Sequence, residues 1–449
     1  MSSSRQQSID TFHRSRARLV EDIQDFISIP SISIGDGHKL DIQRAVRWVA
    51  NRLNALQLDH VEVIETSCNP VVFGDLKAIE PDSPTVLIYG HYDVQPAEPL
   101  EHWKTDPFEG VVKDEYIYGR GACDMKGPFM ACVAAVSALL DGGSSPVNVK
   151  FLVEGNEEAG PDVMGEFVPQ YMDRLASDIS LNCDGGMLGK NKPTIVYGLR
   201  GGSVCTIKIS GPKADIHDGM YGGVVDNPIH VLSRLIAGFF DRQGRITLPG
   251  FYDKVRPLDA EERDELARLP RDDAYYLRHS GAPALWGDKN YLPVERVGVR
   301  PSLNVRLFQG GMRKNAIPVE ANARIGMRLV PDQKPREAFE QLYQYIEQNV
   351  PPTVTWEVKY VVGFRPSLVD RHSTGIEALC RAFDSVWGVE PYYYRSGGGI
   401  PVVGHLQDIG IDSVLTGFLG DNIHGPNERI HLPTLEHGAE ALIHFLYNL

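Results

Sequence analysis

The chain is poor in cysteine, and none of its six (Cys68, Cys123, Cys132, Cys183, Cys205 and Cys380) stands in a CxxC pair or a dense framework. That excludes a disulfide-stapled fold. Scattered thiols in a long chain read instead as reduced, mostly buried side chains suited to a reducing compartment. Positive charge is in deficit, with 45 Lys plus Arg against 59 Asp plus Glu and a net charge of −14, which speaks against the basic face that a nucleic-acid partner requires. Long apolar runs are missing too: the longest, Phe129–Leu140, is too short to span a bilayer and reads as a buried helix. The opening MSSSRQQSIDTFHRSRARL lacks the apolar core of a signal peptide. Repeats and low-complexity tracts are absent. These absences predict a cytoplasmic protein with neither a nucleic-acid nor a membrane partner.

What is present is an ordinary globular composition in 449 residues, longer than single cores usually grow, so two domains are expected. Leu19, Ile23, Phe26 and Ile27 recur at helical spacing before Pro30, and Ile42, Ala45, Val46, Val49, Leu53 and Leu56 repeat the pattern. Short runs rich in β-branched residues follow at Val61–Ile64, Val71–Phe73, Val86–Tyr89 and Val149–Val153, several of them reading as strands buried on both faces. Alternating helices and strands predict an α/β sandwich for the first part of the chain. Near Leu199 the character changes. Ser203–Ile209 alternates like a half-exposed strand, a helix is expected over Pro228–Phe240, strands at Ser302–Phe308 and Ala321–Leu329, a helix over Arg336–Gln348 and a strand at Thr353–Tyr360. That order is ferredoxin-like, a compact α+β unit. Residues 241–297 are charged, weakly periodic and resemble an insertion. The expectation is an α/β catalytic domain, 1–199 and 366–449, interrupted by an α+β domain over 200–365.

Five clusters carry chemistry. His91 and Asp93 in Tyr89-Gly-His-Tyr-Asp-Val lie two apart after a strand, so in extended chain both side chains point the same way. Strand ends in α/β sheets are where ligands bind. Asp124 lies among glycines in Gly119-Arg-Gly-Ala-Cys-Asp-Met-Lys-Gly127, ahead of the apolar helix. Glu157 and Glu158 in Glu154-Gly-Asn-Glu-Glu-Ala-Gly160 are adjacent carboxylates, which repel unless a cation or proton separates them. Asp184 precedes a glycine pair, and His424 stands in Asp421-Asn-Ile-His-Gly-Pro-Asn-Glu428. Each alone has a bland reading: a structural loop pair, a helix-capping Asp, a solvated glutamate pair, a satisfied loop histidine. Together, two histidines and several carboxylates without a cysteine pair match a two-metal site of zinc or manganese. No Ser-His or Cys-His constellation supports covalent catalysis, and Cys123 reads as packing.

GHYDVQP, GRGACDMKGP, EGNEEAG and HGPNE, in this order and spacing, resemble the metal motifs of the aminoacylase/carnosinase family of co-catalytic zinc metallopeptidases. The likeness is greatest to its cytosolic non-specific dipeptidase and carnosinase branch and covers nearly the whole chain. It implies a zinc-peptidase-like mixed sheet, a ferredoxin-like lid and dimerisation domain, a homodimer, and two divalent metal ions per subunit: zinc first, with manganese or cobalt as alternatives. By this resemblance His91, Asp184 and one oxygen of Asp124 hold one metal, while His424, Glu158 and the other oxygen of Asp124 hold the second. Asp93 would orient His91, and Glu157 would be the general base in metal-assisted hydrolysis of an amide. Ile216-His217-Asp-Gly-Met-Tyr-Gly-Gly resembles the family's lid signature, in which the histidine serves the partner's substrate oxyanion. Asn315 and Arg328 resemble contacts to a substrate carboxylate, and Arg395-Ser-Gly-Gly-Gly399 its substrate-binding glycine loop. Gly399 and Asn315 depart from the branch, which has serine and threonine there. The expected substrate is therefore a small peptide or N-acyl amino acid with a free carboxylate. The alternatives are an N-acyl-amino-acid deacylase or other amidohydrolase on the same scaffold and a non-catalytic binding protein; in the latter a missing ligand or base is expected, and every position is filled.

Overall fold

The computed structural model describes residues 2–159, 162–312 and 315–449; Gly160 of the EGNEEAG motif lies outside them. The chain divides into two compact units, one made of the residues up to Tyr197 with Val369–Tyr394 and Ile400–Leu449, the other of Gly198–Leu368 with Arg395–Gly399. Arg395–Gly399 thus groups with the second unit, although the sequence boundaries put it in 366–449.

The first unit is built on a mixed sheet of β1 (His60–Ile64), β2 (Val71–Leu76), β3 (Thr85–His91), β4 (Asn148–Glu154), β5 (Ile179–Asn182), β6 (Thr194–Leu199) and, from the far end of the chain, a strand at Ser413–Leu415. The strand order is β1-β2-β4-β3-β5, then Ser413–Leu415, then β6. Three pairings are parallel: β3 with β4, β3 with β5, and β5 with Ser413–Leu415. Every residue from Val86 to His91 is buried, which is why these strands read as unbroken apolar runs. Helix α2 (Lys39–Asn54) packs on β1 and β2 and α3 (Lys126–Asp141) on β3, while α1 (Ser2–Ile27) and two C-terminal helices, α6 (Thr374–Trp387) and α7 (Leu432–Asn448), complete the helical layer, α7 lying against α1, α3 and α6 and α1 against α3. Helix α3 buries nearly every side chain, each large apolar one contributing about 1.5–3 kcal/mol. Helix α1 begins well before the apolar period at Leu19 does, because its early turns bury only Ser8, Ile9 and Phe12 among the side chains described.

The second unit carries a four-stranded antiparallel sheet of β7 (Gly201–Ser210), β8 (Ser302–Gly310), β9 (Glu320–Leu329) and β10 (Thr355–Phe364), in the order β8-β9-β7-β10. Helices α4 (Pro228–Ala237) and α5 (Pro335–Asn349) connect and cover it, giving the ferredoxin-like arrangement. The alternation in β7 resolves as expected: Cys205, Ile207 and Ile209 join Val231, Leu235, Leu342 and Ile346 in one core. Residues 241–297 hold three short helices, at Ala260–Ala267, Asp273–Ser280 and Pro293–Gly298. Elements of eight residues or fewer are too brief to show a period; their signals are the caps, Asp259 and Asp272 accepting from Glu262 N and Tyr275 N. All six cysteines are free, and no helix among the described residues is long and apolar enough to cross a membrane.

Candidate metal centre

The candidate residues of the first unit converge at the carboxyl ends of its parallel strands. His91 ends β3, Glu157 and Glu158 follow β4, Asp184 follows β5, and His424 lies beyond Ser413–Leu415. The chain leaves β3 for neighbours on both sides, β4 and β5, so this is a switch point of the kind at which open α/β sheets form a crevice. Asp124 enters from the loop before α3, where the helix N-terminus favours a carboxylate.

Among the described residues two groups bring possible metal-holding atoms within 4.8 Å of one another: His91, Asp124 and Asp184 in one, Asp124, Glu158 and His424 in the other. Asp124 belongs to both. Its Oδ1 is 3.1 Å from His91 Nε2 and its Oδ2 is 3.0 Å from His424 Nε2. His424 Nε2 is also 3.1 Å from Glu158 Oε2, and Asp184 Oδ2 is 4.0 Å from His91 Nε2.

The supports explain these directions. His91 is fully buried, and its Nδ1 donates to the Asp93 backbone carbonyl at 3.0 Å. The same Nδ1 also faces the Asp93 carboxylate, whose Oδ1 lies 3.5 Å away. The other carboxylate oxygen is taken by Ser33 Oγ at 2.6 Å and by Glu158 N at 3.1 Å. Gln95 Nε2 donates to Glu158 Oε2 at 2.8 Å. Asp184 N donates to Asn182 Oδ1 at 2.8 Å. Glu428, fully buried, clamps the Asp124 loop: Oε2 accepts from Arg120 NH1 at 2.6 Å and Gly121 N at 3.1 Å, and Oε1 from Cys123 N at 3.0 Å and Asp124 N at 3.1 Å. Lys126 Nζ donates to Phe26 O and Ile29 O at the end of α1, securing the other side of that loop. His424 itself stands in the left-handed backbone region at φ +60°, with Asn422 and Asn427 alike at +58° and +62°, a costly conformation for non-glycine residues that functional loops retain.

The donor set fits divalent cations. With its Nδ1 proton given to a carbonyl, neutral His91 turns an unprotonated Nε2 toward a carboxylate oxygen, so a proton or a cation must lie between them. The charges agree. Burial pushes the Glu157 carboxyl up to about 7, opposed by His91 and helped by Glu158 and Asp124. Burial and the neighbouring Asp124 raise Asp184 well above the usual carboxylate range. Hydrogen bonds with Asp124 and Glu158 push His424 up to about 10. Burial alone would lower His91, but the carboxylates of Asp124 and Asp93 outweigh it and raise it well above 6.5. Crowded carboxylates that hold on to protons form a site with excess negative charge, which hard or borderline cations relieve. Glu157 belongs to neither metal-holding group. Burial also pushes the Cys123 thiol well above its ordinary range, which removes it as a nucleophile.

The remaining candidates belong to the second unit. His217, in a two-residue strand at Ile216–His217, has a side chain 64% exposed, and its Nδ1 accepts from Gly219 N at 3.0 Å. Arg328 lies in β9 with its guanidinium 5.9 Å from the Phe364 ring centroid; burial and nearby Arg306 lower its pKa. Asn315 is exposed. Gly399 has a packing reason of its own, since a Cβ there would run into the Arg200 carbonyl and the Phe364 ring.

Sequence reasoning assigned no role to Glu428, Arg120, Gln95 or Ser33. The first three sit inside motifs already singled out; Ser33 carries no sequence signal.

The sequence model of peptidase family M20/M25/M40 matches residues 87–448. The chain is 32% identical to the Beta-Ala-His dipeptidase of Homo sapiens, over 81% of this chain and 74% of that one. It is 28% identical to the Cys-Gly metallodipeptidase of Candida albicans, over 98% and 96%. Among solved structures, an M20 family metallo-carboxypeptidase from Sulfolobus solfataricus superposes with a TM-score of 0.85 at 29% identity, covering 95% of this chain and 98% of that one.

Proposed function

The chain belongs to peptidase family M20/M25/M40, in its Beta-Ala-His and Cys-Gly dipeptidase branch, as a dinuclear metallodipeptidase; from that premise we propose that it cleaves the amide bond of dipeptides or similar small substrates with a free carboxylate. The observation that carries this is the one carboxylate with two histidines, Asp124 facing His91 through Oδ1 and His424 through Oδ2. His91, Asp184 and Asp124 would hold one divalent ion, and Asp124, Glu158 and His424 the other, with zinc the expected metal. When bound, such ions lower the pKa of water and polarise a carbonyl.

The chain's own residues do the rest. Glu157, crowded by Glu158 and Asp124 and held near neutral pKa, takes the proton of the attacking water and returns it to the leaving amine. Asp93 and Gln95 fix His91 and Glu158, so these donors need not reorganise during reaction. His217 serves the developing oxyanion. Its Nδ1 accepts a backbone N–H, so the ring proton sits on Nε2, ready to donate. It acts on the site of the partner in a homodimer, whose second unit is the lid and dimerisation domain. Arg328 binds the substrate carboxylate, with Asn315 and the Arg395–Gly399 loop around it.

A hydrolysis screen of dipeptides, β-alanyl peptides and N-acyl amino acids, run with zinc and with manganese, tests the reading. Cleavage of peptides with a free C-terminal carboxylate, lost when that carboxylate is amidated, is expected. Turnover of N-acyl amino acids alone would replace the dipeptidase reading with a deacylase, and no turnover with either metal would overturn both.

A further inference from the structure

We propose that the second unit carries a separate binding cavity for a small organic carboxylate with a flat apolar body. The cavity, about 270 Å³, lies between the start of β8 and the 241–297 segment. It sits just below the ~300–1,000 Å³ of ligand pockets in general, so it suits a molecule of the size of phenylacetate or one aromatic amino acid. None of its lining residues belongs to the metal-holding groups.

One wall is aromatic. Phe240 and Trp286 meet edge to face, their ring centroids 5.0 Å apart at 89°, and Tyr252 adds a third ring. The other wall is cationic. The Arg300 guanidinium is 4.7 Å from the Tyr252 ring centroid and 4.4 Å from that of Tyr291, and no carboxylate pairs with it among the described residues. Arg296 NH1 donates to Trp286 O at 2.6 Å, while its Nε is buried without a hydrogen-bond partner. No carboxylate pairs with Arg296 either, among the described residues. The lone acid of the lining, Asp288, has its Oδ1 committed to Asn290 N at 3.0 Å.

The missing counter-charge is not a shortage of acids, because the chain has 59 acidic residues to 45 basic ones. Nearby Arg263, outside the cavity, is paired with Glu295 at 2.9 Å. Two arginines left without carboxylates at one concave, aromatic-walled place form a recognition site for an anion: the guanidinium matches a planar carboxylate, and the rings match an apolar, flat remainder. The backbone is shaped for this. Gly287 has φ +110°, and a Cβ there would come within 3.4 Å of Arg296 Cδ, so glycine lets the Trp286–Asp288 turn close over that arginine. Arg200 anchors the floor, its NH1 donating to Ser302 Oγ at 3.1 Å and to Arg300 O at 3.3 Å. This gives the 241–297 segment a task that the hydrolytic reaction does not require of it.

The test is an equilibrium titration of the full-length, metal-loaded protein with phenylacetate, followed by tryptophan fluorescence and by calorimetry. Phenethylamine and inorganic phosphate serve as comparators. Saturable phenylacetate binding is expected, at least tenfold tighter than that of either comparator. Arg296→Met and Arg300→Met should each raise Kd on the order of tenfold or more, the cost of one charge-assisted contact. Trp286→Phe should remove most of the fluorescence change while calorimetric binding persists. Asp124→Asn should leave Kd within about twofold, because the metal centre takes no part. If Arg300→Met fails to fold, Arg296→Met decides, its side chain being the less enclosed by rings. The proposal is overturned if phenylacetate does not saturate, if phenethylamine or phosphate binds as tightly, or if binding follows Asp124→Asn and ignores the arginines.

Discussion

Replacing Glu428 by glutamine changes one atom of a fully buried side chain and should damage both stability and metal retention. The carboxylate accepts four hydrogen bonds, two on each oxygen, from Arg120 NH1 and Gly121 N on one side and Cys123 N and Asp124 N on the other. An amide has one oxygen, so whichever way it turns, its NH₂ group faces two donors. When the NH₂ faces Arg120, that side chain, 1% exposed, keeps among the described residues only Pro96 O at 3.0 Å and the Trp103 ring at 5.6 Å; the other orientation instead releases the Cys123 and Asp124 amides. Breaking a buried pair from one side costs about 3–5 kcal/mol, and at roughly 2–4 °C per kcal/mol the first unit should melt roughly 6–20 °C lower. Because Asp124 N is one of the released donors, the shared carboxylate should lose its position and both metals their affinity. Arg120→Met should cost less, since Glu428 would still hold three backbone amides. Thermal unfolding of the metal-loaded proteins, with metal content after dialysis, reads both effects. A Glu428→Gln protein melting within about 2 °C of wild type and keeping both metals would refute the clamp, since a loss of only about 1 kcal/mol or less would remain.

Glu157→Gln should keep fold and metals yet lose roughly 10²–10⁴ in turnover, since the amide cannot move a proton; metal loss in parallel with activity would make Glu157 a ligand instead. Asp124→Asn should retain fewer than two metals after dialysis, because a neutral amide bridges two dications poorly; two retained metals would remove its shared role. In the metal-free protein Glu157 holds its proton up to about 7 against an ordinary 4.5, and His424 up to about 10 against 6.5. The folded state therefore binds more protons than the unfolded one throughout that span, and stability should fall as pH rises from about 5 towards 10, a slope that metal loading flattens; denaturant melts at several pH values with and without metal would show it, and equal slopes would refute the charge argument. Mixing His217→Ala with Glu157→Gln chains should restore activity, approaching half of wild type per mixed dimer, because one site then holds both lesions and the other neither; demonstrated subunit exchange without recovery would place His217 in its own subunit's site or outside the chemistry.

Much of the centre was legible because metal ligation ties residue types to strand ends at fixed short spacings. His91 and Asp93, Glu157 and Glu158, Asp124 among its glycines, and His424 beside a glycine each announce themselves locally. The sheet was legible for a related reason: parallel strands buried on both faces, such as Val86–Tyr89, are apolar without interruption. The short helices of 241–297 were not, because a helix of six to eight residues never completes a pattern that periodicity can detect. Nor was the hydrogen bond from His91 to the Asp93 main chain, since a carbonyl is the same whatever residue carries it.

The contacts that stayed hidden share one property, which is distance along the chain. Glu428 is 304 residues from the Asp124 amide it holds, Lys126 reaches back 97 residues to Ile29, and Ser33 meets Asp93 across 60. None of these touches a metal-holding atom, yet the metal-free site needs them most. Asp124, Glu157, Glu158 and Asp184 are brought together against their mutual repulsion before any cation offsets it. A flexible loop would relieve that repulsion by moving its carboxylate into water. The Asp124 loop is therefore fixed from both flanks, by Glu428 on its amides and by Lys126 on the end of α1, so that the folding energy of the whole unit opposes its escape. By this argument the donors that would hold metal each announce themselves in a short local motif, whereas the residues that keep those donors preorganised are recruited from wherever the fold brings a buried hydrogen-bonding partner within reach.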